Sequence, residues 1–175
     1  GLAALKAIET ESDIPLLLVL PSDHFIRKVG KFVNTIIKGV EYAKDGRIVI
    51  FGVSPTHPET GYGYIELSSN VDKFSNESLS VRNFIEKPTK EIANKLVLDK
   101  RYLWNSGIFL IRADVALSEL KKFAPKVYSA SRNAMSETIY DLEFQRINPE
   151  HLEKCPNISF DKAVMEKTSL ATVLN

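Results

Sequence analysis

The most informative stretch of the sequence is Leu16-Leu17-Leu18-Val19-Leu20-Pro21-Ser22-Asp23-His24. Its unbroken apolar residues predict a strand buried on both faces of a parallel sheet, because a half-exposed strand would alternate apolar and polar residues. Asp23 then follows the carboxyl end of that strand, where open α/β sheets bind their ligands. The stretch alone leaves two roles open for Ser22 and Asp23: a cap on the next helix, or metal and phosphate chemistry.

Length and composition indicate one ordinary globular domain with a substantial core. The chain has 175 residues, of which 44% are hydrophobic and 26% charged. The net charge is +1 and no charged block occurs, so we expect small-molecule partners, with neither nucleic acid nor a membrane surface among them. Cys155 is the single cysteine and is interpreted as a structural thiol. A single cysteine, together with the lack of a signal peptide or a membrane-length apolar run in the sequence, predicts a reducing, cytoplasmic setting.

Strand and helix patterns alternate along the chain. Helical spacing covers residues 1–10, 29–40, 89–99, 113–123 and 128–136, and a short helix is expected within 159–167. Apolar runs predict strands at 48–53, 81–85, 108–111 and 170–174, besides the one that begins at Leu16. This alternation predicts an α/β fold that contains βαβ units.

Polar groups recur where these strands end or where the loops are tight. They are Asp23, the loop around Gly61 and Gly63, Glu86 with Lys87, Asn105, and Asp161. Mg²⁺ binds one or two carboxylates together with phosphate oxygens, and a lysine neutralises phosphate as a point charge. Glutamate and asparagine pair with hydroxyl groups. These residue types suit a phosphorylated polar substrate that is held with a divalent cation.

Five motifs stand out in order along the chain: Leu20-Pro21-Ser22-Asp23-His24, Pro55-Thr56-His57-Pro58-Glu59-Thr60-Gly61-Tyr62-Gly63-Tyr64-Ile65, Phe84-Ile85-Glu86-Lys87-Pro88, Trp104-Asn105-Ser106-Gly107-Ile108-Phe109, and Phe160-Asp161-Lys162-Ala163-Val164-Met165-Glu166-Lys167. In this order they resemble motifs of the mannose-1-phosphate guanylyltransferases, also called GDP-mannose pyrophosphorylases. The resemblance is to the bacterial type, which is often fused to a mannose-6-phosphate isomerase domain. It implies a nucleotide-diphospho-sugar transferase-like, Rossmann-like α/β/α sandwich with a mixed, mostly parallel sheet.

The resemblance also implies a reaction and a role for each motif. The reaction is GTP + α-D-mannose 1-phosphate → GDP-mannose + pyrophosphate, with Mg²⁺ as the cofactor. Asp23 and Asp161 would bind the metal, Lys87 the sugar phosphate, and Ser22 with Asp23 the nucleotide. Glu86, Asn105 and the Gly63 backbone would bind mannose hydroxyls. His24 and His57 lie inside the motifs and are interpreted as structural residues that orient their loops; a role in proton transfer is the alternative.

The family's glycine-rich signature for the nucleotide triphosphate lies N-terminal to the segment that corresponds to Gly1. By this resemblance, residues 1–175 are one nucleotidyltransferase domain that lacks its N-terminal nucleotide-binding segment and any C-terminal domain, an internal fragment that is inactive by itself. The alternatives are a nucleotidyltransferase for another sugar 1-phosphate and a non-catalytic sugar-nucleotide-binding subunit. A related metal-dependent glycosyltransferase should carry an Asp-x-Asp motif, which the sequence lacks. A homodimer is left open.

Overall fold

The computed structural model describes residues 1–68 and 79–175, which divide into two compact units. The first, here called the sheet unit, comprises Leu16–Ile111 and Thr168–Asn175. The second, here called the helical unit, comprises Gly1–Pro15 and Arg112–Lys167. Each unit is described by itself below.

The chain contains both helices and strands, as the sequence predicts. The helices are α1 (Leu2–Thr10), α2 (Val29–Lys44), α3 (Lys90–Leu96), α4 (Ala113–Phe123), α5 (Pro125–Ser136) and α6 (Pro149–Glu153), followed by a π-helix over Asp161–Met165. The strands are β1 (Leu16–Val19), β2 (Ile48–Val53), β3 (Tyr64–Leu67), β4 (Leu79–Ile85), β5 (Tyr102–Arg112), β6 (Ile139–Asp141), β7 (Phe144–Arg146) and β8 (Ala171–Leu174). The periodicity therefore located most elements correctly, while the β6–β7 hairpin and α6 carry no pattern that the sequence analysis recognised.

The main sheet is mixed, as expected. Its strand order is β1-β5-β2-β8-β4-β3, and β5 also pairs with β3. β2 is parallel to β8, but β2–β5, β3–β4, β3–β5 and β4–β8 are antiparallel. Contrary to the expected parallel majority, antiparallel pairs predominate among the pairings whose direction is described. Of these antiparallel pairs, β3–β4 joins strands that are consecutive in the sequence, and such strands favour antiparallel pairing because it needs no long crossover.

The burial expected for the Leu16 strand is wrong. Leu16 and Leu17 are half-buried, but Leu18 and Val19 expose 39% and 45% of their surface. β1 is the terminal strand in the described strand order, with a sheet neighbour on one side only. Its apolar composition therefore does not guarantee that both of its faces are covered.

The sheet unit has its core where α2 packs on the strands. Phe32, Ile36 and Val40 lie on one stripe of α2 and contact a buried cluster. That cluster consists of Ala43, Val49, Phe51, Ile108, Leu110 and Leu174. As predicted, α2 ends just before Gly46, whose φ of +83° is one that glycine adopts readily.

A second cluster in the sheet unit lies under α3. Ala93 and Leu96 of this helix pack with the buried side chains of Tyr64 and Trp104. The Thr89 hydroxyl caps the helix by accepting the Ile92 N–H at 3.5 Å. Ile92 is 42% exposed, because the short helix turns Ala93 and Leu96 towards the sheet instead.

The helical unit is built from α1, α4, α5 and α6, with α4 in contact with α1 and α5. Pro125 lies in the first turn of α5, where its missing N–H has no intrahelical partner to lose. Ala163, Val164 and Met165 of the π-helix are buried. None of the helices in the described parts of the chain is both long and apolar enough to cross a membrane.

Candidate functional site

Three strands of the sheet unit bring together residues from three separate motifs. Tyr64, the first residue of β3, pairs with Ile85 of β4 on one side and with Trp104 of β5 on the other. The residue before Tyr64, the residue after Ile85 and the residue after Trp104 therefore meet beside the start of β3. They are Gly63, Glu86 and Asn105, the predicted sugar-binding residues. The Asn105 N–H donates to the Gly63 carbonyl oxygen at 2.8 Å, which extends the β3–β5 pairing by one step.

Gly63 has no side chain, and the Glu86 carboxylate lies next to the space that a side chain would fill. A Cβ on Gly63 would lie 2.7 Å from Glu86 Oε2 and 3.1 Å from Phe84 Cζ. Gly63 and Phe84 are buried, and the Glu86 side chain is only 9% exposed. The glycine thus permits a close approach between the backbone and the Glu86 carboxylate.

Asn105 lies within β5, which begins six residues earlier than the strand predicted at 108–111. Its Oδ1 accepts the Gly107 N–H at 3.1 Å, so the side chain is held by its own strand. Gly107 has a φ of +70°, which a residue with a side chain rarely adopts. This local turn of the backbone is what orients the Asn105 amide.

Lys87 follows Glu86 in an unusual backbone conformation. Its φ is +48°, in the left-handed region that costs a residue with a side chain about 1–2 kcal/mol. The Lys87 Nζ lies 3.7 Å from Glu86 Oε1, and 63% of the side chain is exposed. The conformation therefore leaves the ammonium group available beside the Glu86 carboxylate, as a phosphate-binding lysine requires.

The loop after β1 packs against the Asn105 motif. A Cβ on Gly107 would lie 3.5 Å from Pro21 Cγ, which is ordinary contact distance. Ser22, Asp23 and His24 follow Pro21 and are exposed. The structure thus brings the loop that carries Asp23 to the same end of the sheet unit as Asn105.

Asp161 lies in the helical unit, whereas Asp23 lies in the sheet unit. Asp161 begins the π-helix, and its carbonyl oxygen accepts the Glu166 N–H at 3.0 Å. Such i→i+5 turns occur frequently at functional sites. The described residues contain no group of three or more His, Cys, Asp or Glu side chains that could hold a metal ion. A cation shared by two aspartates, with phosphate oxygens completing its shell, is a different arrangement and stays a prediction.

The sequence analysis missed Glu59, which lies at the centre of the loop before Gly63. Its Oε1 accepts the Gly61 N–H at 2.8 Å, and this bond, with a further contribution from the His57 ring, lowers the pKa of Glu59. The Glu59 N–H donates to Tyr64 Oη at 3.0 Å. Asn and Asp are the residues whose side chains commonly accept the N–H two positions on, so a glutamate at position 59 gave no turn signal in the sequence.

Comparisons with known proteins show the family to which the chain belongs. A family model described as "Nucleotidyl transferase" matches residues 2–148. Mannose-1-phosphate guanylyltransferase RfbM of Salmonella typhimurium is 41% identical over 175 residues, with 99% of this chain and 36% of that protein covered. A mannose-1-phosphate guanylyltransferase of Escherichia coli is 38% identical over 172 residues, with 98% and 37% covered.

A solved structure with the same fold is described as mannose-6-phosphate isomerase from Helicobacter pylori. Its TM-score is 0.83 at 32% identity, and the match covers 98% of this chain and 65% of that one. The chain thus spans little more than a third of the length of the two curated relatives, at 36% and 37%.

Proposed function

Since the chain belongs to the nucleotidyl transferase family, we propose that the protein forms GDP-mannose and pyrophosphate from GTP and α-D-mannose 1-phosphate. The relatives that match it along almost its whole length are named for the transfer of a guanylyl group to mannose 1-phosphate. GTP as the nucleotide is part of the proposal. So is a cytoplasmic setting, which is supported by the single, unpaired Cys155.

The observation that carries the proposal is the convergence of Gly63, Glu86, Lys87 and Asn105. Two hydrogen-bonding side chains and a backbone segment lie beside one exposed ammonium group. This combination suits a molecule that has hydroxyl groups at one end and a phosphate at the other. A sugar 1-phosphate has this layout.

In the proposed reaction, a phosphate oxygen of mannose 1-phosphate attacks the α-phosphorus of GTP and displaces pyrophosphate. The protein needs no covalent nucleophile for this step, because positioning and charge neutralisation supply most of the rate in such transfers. Glu86 and Asn105 hold the sugar hydroxyls and thereby orient the attacking phosphate. Lys87 offsets the negative charge of that phosphate where it approaches the nucleotide.

The donor chemistry fits Mg²⁺. Asp23 presents an exposed carboxylate in the loop beside the Asn105 motif, and Asp161 offers a second hard oxygen donor. We propose that these two residues hold the ion. When bound, Mg²⁺ would neutralise phosphate charge and align the two substrates. Ser22, next to Asp23, is proposed to contact the nucleotide.

Alanine substitutions of the sugar-binding residues test the function. In the full-length protein, Glu86→Ala and Asn105→Ala should each raise the KM for mannose 1-phosphate about tenfold or more, because a lost hydrogen bond to a buried polar partner costs about 1–3 kcal/mol. The KM for GTP should change little. Asn94→Ala, at an exposed position of α3, is the matched control and should leave both KM values unchanged. Equal losses for the two substrates would contradict the assignment.

A further inference from the structure

The loop before Gly63 is tied together through one residue. Glu59 donates its N–H to Tyr64 Oη at 3.0 Å and accepts the Gly61 N–H on Oε1 at 2.8 Å. Its other oxygen, Oε2, lies 3.5 Å from His57 Nε2. Glu59 therefore joins the start of the loop, its last turn and the strand that follows it. We call these contacts the Glu59 clamp.

The clamp rests on two buried aromatic side chains. Tyr64 is 0% exposed and Trp104 is 7% exposed, and the two are paired across β3 and β5. The rings of His57 and Tyr62 meet the Trp104 ring edge to face, with centroids 4.9 Å and 5.4 Å away. The His57 and Tyr62 side chains of the loop therefore both contact the same buried indole.

The Glu59 carboxylate is ionised at neutral pH, which strengthens these contacts. The Gly61 N–H is the main cause that lowers the pKa of Glu59, followed among the stabilising contacts by the His57 side chain. Hydrogen bonds to an ionised acceptor are roughly twice as strong as neutral ones. The Thr56 hydroxyl lies 3.1 Å from His57 Nδ1, so the imidazole is oriented from its other side as well.

Gly63 follows this loop directly. Its carbonyl oxygen accepts the Asn105 N–H at 2.8 Å, and its Cα faces the Glu86 carboxylate closely enough to exclude a Cβ. A displacement of the loop would therefore move the backbone that separates these two side chains. Even a small displacement would matter, because binding groups must be held within about 0.5 Å of their productive geometry.

We propose that Glu59 is a positioning residue for the sugar 1-phosphate: it fixes the backbone at Gly61–Gly63 and so sets the spacing of Glu86 and Asn105. This inference rests on the proposed function, because the substrate that it concerns is the one assigned there. Glu59 acts through the loop and touches no reacting atom.

Kinetics of two variants in the full-length protein test the proposal. Glu59→Ala removes both carboxylate contacts and should raise the KM for mannose 1-phosphate about tenfold, the effect of losing roughly 1.4 kcal/mol of binding. The KM for GTP should stay within about twofold of wild type. Glu59→Gln keeps an oxygen for the Gly61 N–H and should restore most of the affinity. Glu41→Ala, which removes an exposed carboxylate on α2, is the control and should change neither KM.

A second measurement needs no substrate. Trp104 is the single tryptophan of residues 1–175 and contacts the rings of His57 and Tyr62, so its fluorescence is sensitive to those contacts. Glu59→Ala should change this emission and speed amide hydrogen exchange in residues 54–63, while exchange in α2 stays unchanged. Tyr64→Phe, which removes only the hydroxyl that accepts the Glu59 N–H, should speed exchange in the same segment.

The two measurements separate the failure of the clamp from the failure of the proposed function. Faster exchange in residues 54–63 with an unchanged KM for mannose 1-phosphate would overturn the positioning role. Unchanged exchange and emission in Glu59→Ala would overturn the clamp itself. If wild-type protein fails to bind mannose 1-phosphate in calorimetry, the proposed function falls, and with it the sugar-positioning role; the exchange data would still decide whether Glu59 holds the loop.

Discussion

The carboxylate of Glu86 occupies the space where Gly63 would carry a side chain, 2.7 Å from the position of a Cβ. Only 9% of the Glu86 side chain is exposed, so the carboxylate has little room to move away. The contact joins residues from two motifs that are 23 positions apart in the sequence. The Glu86 side chain can adopt this position because residue 63 is a glycine.

Gly63→Ala should therefore impair both stability and sugar binding. The added methyl group must displace Glu86 or the buried Phe84 ring, and overpacking of this kind typically costs about 1–3 kcal/mol. We expect a lower melting temperature and a KM for mannose 1-phosphate raised about tenfold or more. Gly30→Ala on α2 is the control, because nothing lies within 4 Å of a Cβ there; its melting temperature should stay the same or rise slightly. A fully active, stable Gly63→Ala protein would contradict this account.

Lys87 should show opposite effects on stability and on binding. Lys87→Gly relieves the left-handed φ of +48°, and after the entropy cost of glycine the gain should be about 0.5–1 kcal/mol in thermal or denaturant unfolding. The same variant should lose affinity for mannose 1-phosphate, because the ammonium group is gone. Lys87→Met separates the two effects: it keeps the strained backbone and should lose affinity without any gain in stability. A gain in Lys87→Met equal to that in Lys87→Gly would show that backbone strain is not the cause.

The two aspartates should behave as one metal-binding unit. Asp23→Asn and Asp161→Asn keep the side-chain shape but remove the charge, so each should lower turnover severely with little change in melting temperature. If both bind one Mg²⁺, the double variant should be little worse than the more impaired single variant, because groups that share a function are not additive. The measurement is GDP-mannose formation across a Mg²⁺ titration, with the exposed Asp13→Asn as control. Fully additive losses would exclude a shared ion.

The stabilising effect of the Glu59 carboxylate should depend on pH in a defined direction. The pKa of Glu59 is lowered in the folded state, first by the Gly61 N–H. Its contribution is therefore fully present above the ordinary glutamate pKa of about 4.3 and is lost as the pH falls through the lower, folded value. The melting-temperature difference between wild type and Glu59→Gln should be largest near neutral pH and shrink in acid.

The control for this pH series is Glu41→Gln. Glu41 forms an exposed pair with Lys44 at 3.5 Å, and exposed pairs contribute little to stability. Its melting-temperature difference from wild type should thus be small throughout. A Glu59→Gln difference that grows on acidification would have the wrong sign for a lowered pKa and would refute the electrostatic role.

Much of this protein follows from the order of its residues. The periodicity of α4 fixed both of its ends, since the predicted 113–123 is the observed helix. The sequence also predicted a strand that ends just before Glu86, and β4 ends at Ile85. These predictions succeed because helix and strand periods, caps and turn residues are properties of neighbouring positions in the chain.

Other features depended on contacts between distant positions. The apolar residues of β1 predicted burial on both faces, but burial depends on which elements flank the strand, and β1 ends the described strand order. Likewise, the sequence does not distinguish Glu59 from the other charged residues. Its contacts with Tyr64 and His57 are seen only in the structure. Periodicity shows which face of an element is apolar, whereas only long-range pairing decides what covers that face and which polar groups meet.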